Sequence, residues 1–263
     1  MSDTGSDAAA RAIWKAWSGH HLIDGLPDEC RPETLAEGYA AQAALARIAG
    51  AAPVGWKIAA TSTAGQKHIG VDGPLAGRLW ESKLHRSGTK LPAGHLHMAV
   101  VEAEFAFRLG RDLAGGDGDY AVEAVMDAVD ALHPAIEIPD SRFRDFTVVG
   151  AAQLIADNGC TEYCVLGEPA PDGWRDVDLA AHPVVVSIDG AEAATGKGAN
   201  ALGDPRLALT WLANDRVRHG EPLAAGDVVI TGTCIVPAPI RHARHVRADF
   251  GALGAVEVAL ASF

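Results

Sequence analysis

The chain has 263 residues, 48% of them hydrophobic, which is enough to bury a sizeable core in one large domain or in one domain with an arm. Its formal net charge of −12, with no basic stripe to interrupt it, argues against a phosphate-backbone partner, so nucleic acid is excluded. The opening Met1-Ser-Asp-Thr-Gly-Ser-Asp7 lacks a basic and then apolar leader, and no apolar run could span a bilayer; the reading is a cytoplasmic protein with no membrane partner.

Residues 7 to 20 and 33 to 49 are alanine-rich with helical spacing; Pro32 precedes the second stretch, and Gly50 and Pro53 lie beyond it. They predict a helical N-terminal arm over residues 1–53, and a mixed β-roll domain carrying the chemistry over 54–263. From Val54 onward, short apolar runs alternate with Gly and Pro. These are Gly55-Trp-Lys-Ile-Ala59, the segment around Val100, the segment around Ala135, Tyr163-Cys-Val-Leu166, Pro183-Val-Val-Val-Ser-Ile188, Asp227-Val-Val-Ile-Thr231 and Ala255-Val-Glu-Val-Ala259. Many short strands with few long helices predict an α+β fold whose mixed sheet is rolled or barrel-like rather than doubly wound. Helices are expected at about 120–132 and 205–214, the second capped by Asp204 with Pro205 at its first position. Gly196-Lys-Gly-Ala-Asn-Ala-Leu-Gly203 lacks the ending of a phosphate loop and the spacing of a dinucleotide fingerprint, so it reads as a tight loop into a helix. The four cysteines, Cys30, Cys160, Cys164 and Cys234, have no zinc-site spacing and read as reduced, packed thiols. His133 reads as a histidine bonded to backbone.

The chemistry centres on Ala99-Val-Val-Glu-Ala-Glu-Phe-Ala-Phe107. Its alternation is that of a strand, with Val101, Ala103, Phe105 and Phe107 turned to a core and both Glu102 and Glu104 leaving the opposite face. Two like charges side by side in an apolar neighbourhood must share a proton or be neutralised by a cation. The local pattern leaves the wet face of an antiparallel strand as the alternative. A second alternating run, His133-Pro-Ala-Ile-Glu-Ile-Pro139, offers Glu137 between two isoleucines. Three carboxylates without a thiolate or imidazole partner form a hard oxygen set, suited to Mg2+ or Mn2+ rather than zinc or copper.

In order and spacing, several pieces of the chain resemble the hydratase and decarboxylase branch of the fumarylacetoacetate hydrolase superfamily. They are Gly55-Trp-Lys-Ile58 with Thr61-Ser62, Gly70-Val-Asp-Gly-Pro74, Val101-Glu-Ala-Glu-Phe-Ala-Phe107, Pro134-Ala-Ile-Glu-Ile-Pro-Asp-Ser-Arg142, Asp157-Asn158, the glycine loop into Trp211-Leu-Ala-Asn214, and Gly226-Asp-Val-Val-Ile-Thr-Gly232. The resemblance runs from Gly55 to the C-terminus. It implies a magnesium site at Glu102, Glu104 and Glu137, and Lys57 beside the metal, where partial burial would lower its pKa toward the proton-transfer range. Taken alone, Lys57 would be a surface lysine with a solvated head. The resemblance also suggests Asp72 as a proton-shuttling or lysine-orienting carboxylate, Asn158 and Thr233 as hydrogen-bond donors to substrate, and Arg142 as a substrate-binding residue or, with Asp140, as support behind Glu137.

The implied activity is metal-dependent hydration of a small 2-hydroxy-2,4-dienoic acid, such as 2-hydroxypenta-2,4-dienoate, to a 4-hydroxy-2-oxo acid. The ion would stabilise the enolate, and no organic cofactor is needed. Two alternatives share the scaffold: decarboxylation of a 4-oxalocrotonate-like 2-oxo acid, and a non-catalytic partner subunit. A homo-oligomer is implied, with a complex with a pathway decarboxylase or hydratase as a further partner. One departure stands out. After Thr231-Gly232 the run Thr233-Cys-Ile-Val-Pro237 replaces the small residue and Phe-Thr-like pair of the hydratases, and Ile235 with Val236 points to an uncharged or alkyl substrate tail.

Overall fold

In the computed structural model, which describes residues 5–116 and 118–261, the chain opens with two helices, α1 (Gly5–Ser18) and α2 (Leu35–Ala49). The second begins at a capping box in which Thr34 and Glu37 each accept the other's backbone N–H, and it ends at Gly50 in the left-handed conformation. Then follow β1 (Pro53–Ala59), α3 (Thr63–Ile69), β2 (Leu75–Trp80), β3 (Leu84–Arg86), β4 (Lys90–Pro92), β5 (Val100–Leu109), α4 (Val122–Met126) and β6 (Val129–Ile138). The remainder comprises α5 (Ala151–Ala156), β7 (Tyr163–Leu166), β8 (Pro183–Ile188), β9 (Ala191–Lys197), α6 (Pro205–Arg218), β10 (Val228–Thr233), β11 (Ala238–Pro239), β12 (His245–Asp249) and β13 (Ala255–Ala261). No helix among the described residues is long and apolar enough to cross a membrane.

The strands form two sheets. The larger runs β2-β1-β10-β5-β6-β7-β3, with β11 added to β5, and the smaller runs β4-β13-β12-β8-β9. Pairing is mixed: β1 is parallel to β10, β3 to β7 and β4 to β13, while the other neighbours are antiparallel. The larger sheet is curled, so the α+β rolled fold expected from the sequence is the fold observed.

Between the sheets lies the main core. Val101, Ala103, Phe105 and Phe107 of β5 are fully buried there, sharing the space with Val184 and Val186 of β8, Val246 and Ala248 of β12, and Val256 and Val258 of β13. Each of these phenylalanines contributes about 1.5–3 kcal/mol by leaving water. The opposite face of β5 is not wet. Ala106 joins Leu79, Ala135, Cys164, Val228 and Ile230 in a small apolar cluster inside the curl. The helical arm is seated on the larger sheet's rim through a third cluster, in which Ala9, Ile13, Trp17 and Leu45 meet Trp80, Phe143 and Ala156, with Trp17 stacked on Trp80 at 4.5 Å.

Two expectations need correction. The helix expected near 120–132 shrinks to α4, because residues from Val129 onward pair with β5 as the start of β6. Pro134 is tolerated within that strand because β7 joins only from Ala135 onward. Strand β2 was not anticipated, although all six of its residues are buried.

Candidate metal centre

The antiparallel register of β5 and β6 sets Glu102 opposite Glu137 and Glu104 opposite Ala135. Side chains two apart on a strand, and those directly opposed across a pair, share a face. All three carboxyl groups therefore rise from the inner face of the curl, each offering an oxygen within 4.8 Å of the others. Glu104 and Glu137 are 0% and 1% exposed, and Glu102 is partly buried. Burial, then the charge of Glu137, pushes Glu102 up to about 7 against the pull of Lys57. Burial and the charges of Glu137 and Glu102 drive Glu104 well above the ordinary carboxylate range.

Lys57 comes from β1, two strands away. Trp56 and Ile58 point into the main core, so Lys57 points into the curl, where its Nζ lies 3.0 Å from Glu137 Oε1. It is 3% exposed. Burial opposes its charge, but Glu137, Glu102 and Glu104 more than offset burial, and its pKa is raised. This reverses the expectation of a lowered lysine: the carboxylates hold the proton on. The charges acting most strongly on Lys57 are those of Glu137, Glu102, Cys160 and Glu104. Asp72 is not one of them and sits exposed in the turn between α3 and β2, a position that gives no support to a role in moving or orienting the lysine's proton.

Gly232 completes the floor. Its N–H donates to Glu104 Oε2 at 2.6 Å, and it can do so because its φ of 99° suits glycine and because a Cβ there would lie 2.1 Å from Thr61 Oγ1. Beyond the Thr-Gly-Thr step at the end of β10, no pattern of residues signals this donor. Glu104 Oε1 and Glu137 Oε2 are buried without a hydrogen-bond partner, and Glu137 Oε1 has only the ammonium of Lys57. Fully ionised, three carboxylates and one ammonium would leave two negative charges in a largely buried site, a cost that the raised Glu102 and Glu104 avoid by holding protons until a cation replaces them. Buried oxygens without donors and an excess of two charges fit one hard divalent cation.

The other site residues expected from sequence have different positions. Arg142 is buried but does not pair with Asp140. It binds the Asp157 carboxylate through Nε, donates to Asp157 O at 2.5 Å and Thr161 O at 3.1 Å, and stacks over Trp17 at 3.9 Å. With its donors engaged, it is part of the scaffold rather than a grip on substrate. Asp140 instead accepts the N–H groups of His97 and Met98. Asn158 is fully buried, and its amide is committed to the backbone of Arg78, accepting from its N–H at 2.7 Å and donating to its carbonyl at 2.9 Å. Thr233 lies opposite Glu104 in the β10–β5 register, and its hydroxyl donates to Ile235 O at 3.0 Å. Ile235 is buried in the main core and Val236 is exposed, so the inference of an apolar substrate tail from that pair loses its basis for Ile235. His133 Nδ1 bonds the carbonyl of Gly167, and all four cysteines are free, as expected.

A second buried ionic cluster went unanticipated. Glu162, 2% exposed, meets Lys83, His95 and Arg142. Burial opposes its charge, but His95 at 3.6 Å and the cations Lys83 and Arg142 hold its pKa down to about 2. Asp157 in turn takes Ser141 Oγ at 2.8 Å and the backbone N–H of Arg142 at 3.0 Å.

Several known proteins resemble this chain. The family described as Fumarylacetoacetate (FAA) hydrolase C-terminal matches residues 72–261. A 2-keto-4-pentenoate hydratase from Burkholderia vietnamiensis is 37% identical over 262 residues, covering 97% of this chain and 98% of the relative. A 4-oxalocrotonate decarboxylase from a Pseudomonas species is 32% identical over 209 residues, covering 79% of this chain and 78% of the relative. Among solved structures, 4-oxalocrotonate decarboxylase from Pseudomonas putida G7, complexed with magnesium and adipate, matches with a TM-score of 0.88 at 26% identity over 99% of each chain.

Proposed function

Since the chain belongs to the fumarylacetoacetate hydrolase family, we propose that it is a hydro-lyase, adding water to a 2-hydroxy-2,4-dienoate to give a 4-hydroxy-2-oxo acid at a divalent metal site formed by Glu102, Glu104 and Glu137. Mg2+ or Mn2+ is the ion that an all-carboxylate set favours. The observation that carries the reading is the dry convergence of three carboxylates against a single ammonium, with carboxylate oxygens left without donors. When bound, such an ion supplies Lewis-acid stabilisation of negative charge on the 2-oxygen of a chelating 2-oxo acid.

The chain's own groups do the rest. Lys57 keeps its proton and acts as a fixed cation beside Glu137, where it favours the substrate's carboxylate and the negative charge that develops during enolisation. Gly232 N–H holds Glu104 in one orientation, so that its other oxygen faces the cluster. The apolar cluster of Ala106, Ala135, Cys164 and Ile230 beneath the carboxylates keeps bulk water from the floor and preserves the strength of these charges. Thr233, opposite Glu104 in the strand register, is assigned a role toward substrate only as an acceptor, since its hydroxyl proton goes to Ile235 O. A homo-oligomeric assembly completes the proposal, and light scattering on the purified chain tests it.

Decarboxylation of a 4-oxalocrotonate-like acid is the second reading, favoured by the backbone match to a decarboxylase over nearly the whole chain. Ultraviolet scans of a small panel of dienoates, with and without magnesium and with products weighed by mass spectrometry, decide between the two. Metal-dependent loss of dienoate absorbance with a gain of one water is the expected result. Loss of carbon dioxide would select the second reading, and no turnover by the metal-loaded chain would remove both.

A further inference from the structure

Three successive residues, Asn158, Gly159 and Cys160, lie in the left-handed region, with φ of 56°, 61° and 62°. Such a run is unfavourable for residues with a Cβ and persists only where the surroundings over-determine it. Here they do. Arg142 and Ser141 anchor Asp157 just before the turn, Asn158 is bonded twice to Arg78, Thr161 Oγ1 donates to Asn158 O at 2.7 Å, and Asp140 N–H donates to Cys160 O at 2.9 Å.

What the turn presses against is the lysine. A Cβ on Gly77 of β2 would lie 2.4 Å from Asn158 O and 2.9 Å from Lys57 Cγ, and one on Gly159 would lie 3.5 Å from Gly77 Cα and 3.8 Å from Lys57 Cδ. The stem of Lys57 thus runs through a slot walled by the bare backbones of Gly77 and Gly159, and it leaves the slot with Nζ at Glu137. A lysine stem is flexible, and holding it in one rotamer has an entropic cost that a prebuilt slot meets in advance.

We propose that the left-handed turn and Gly77 form a positioning slot for Lys57, and that Asn158 and Gly159 are positioning residues that keep its ammonium against Glu137. That the ammonium's place matters for turnover rests on the function proposed above; the slot itself does not. Its test therefore needs neither metal nor substrate. Metal-free protein is reductively methylated with formaldehyde and a borane, and the labelling of Lys57 is compared by peptide mass with that of exposed Lys90.

Asn158→Ala and Gly159→Val are expected to raise Lys57 labelling about tenfold, because valine resists the left-handed region and alanine loses both bonds to Arg78. Gly159→Asn should stay within about twofold of wild type, because asparagine tolerates that conformation. If Gly159→Val does not fold, the contrast between Asn158→Ala and Gly159→Asn decides. Leu253→Ala, which opens a cavity in the main core away from the slot, is the control for general loosening. Unchanged labelling in folded Asn158→Ala, or an equal rise in Leu253→Ala, would overturn the proposal; a metal site that failed to bind would leave these readings intact.

Discussion

Two buried ionic clusters lie on neighbouring parts of this fold, and they are balanced in opposite ways. Around Arg142, the carboxylates of Asp157 and Glu162 meet Lys83, His95 and a full set of hydrogen-bond donors, and Glu162 is held at about 2. Around Lys57, three glutamates share one ammonium, oxygens lack donors, and Glu102 is pushed up to about 7. The first cluster sets Arg142 and Lys83 against Asp157 and Glu162, although burial still holds Asp157 above the ordinary carboxylate range, and it works as a rivet between the arm, the left-handed turn and β7. The second is unfinished, and in a dry interior an unfinished balance marks the place where something else must bind.

Removing a partner should therefore have opposite effects in the two clusters. Arg142→Met leaves Asp157 and Glu162 buried with a cation missing, which costs about 3–5 kcal/mol. A drop in the melting temperature of about 10 °C or more is the expected reading for a chain of this size. A melting temperature equal to that of wild type would show that the cluster is not a rivet.

Proton linkage sharpens the same contrast. The folded, metal-free Glu102 has a pKa above that of an unfolded carboxyl, so the stability it lends is complete below the ordinary carboxylate pKa and is lost as pH rises through about 7. A cation must displace that proton. Its apparent affinity should fall by about tenfold per pH unit below 7 for each proton displaced, with calorimetry in buffers of different ionisation enthalpy showing proton release on binding. The Glu162 cluster has the opposite sign: its contribution is present above the unfolded carboxylate pKa and is lost as pH falls toward about 2. Affinity that is flat between pH 5 and 7 would contradict the assignment of Glu102 as a group that must be deprotonated.

The smallest effect is the most diagnostic. Ionising Glu104 beside two other buried carboxyls is costly, and in metal-free protein Glu104→Gln removes that cost while its amide oxygen can still accept from Gly232, so the variant should gain stability relative to wild type as pH rises, by about 1 kcal/mol at alkaline pH. A thermal melt at alkaline pH in the presence of a chelator checks the sign. A loss of stability would mean that Glu104 is balanced like Asp157.

Much of the unfinished cluster was legible in the sequence, and almost none of the one around Arg142. The strand alternation around Glu102 and Glu104 has a period of two and needs no tertiary information, and Glu137 between isoleucines in a second alternating run supplied the third acid. What the sequence could not tell was that the opposite face of β5 is also dry, because that depends on how far the sheet curls. Glu162 carries no signal in the sequence, and Arg142 reads as a site residue beside Asp140 rather than as the partner of Asp157; an ion pair looks the same in sequence whether it is exposed or buried. The direction of the Lys57 shift differs from expectation for a related reason: burial and a place beside the three carboxylates are both implied by the sequence, but that the carboxylates outweigh burial depends on distances only the fold sets. Strand β2, Leu-Ala-Gly-Arg-Leu-Trp, escaped notice because it has no β-branched residue and carries Gly77 where Lys57 must pass.

Calorimetric titration of Mn2+ into the metal-free chain at pH 8, beside Glu104→Gln, tests the central claim most directly. One ion per chain in the wild type, and affinity weakened by about 100-fold in a variant that melts no lower, is the predicted outcome. Equal binding by both proteins, or none by the wild type, would mean that the three glutamates are not a metal site.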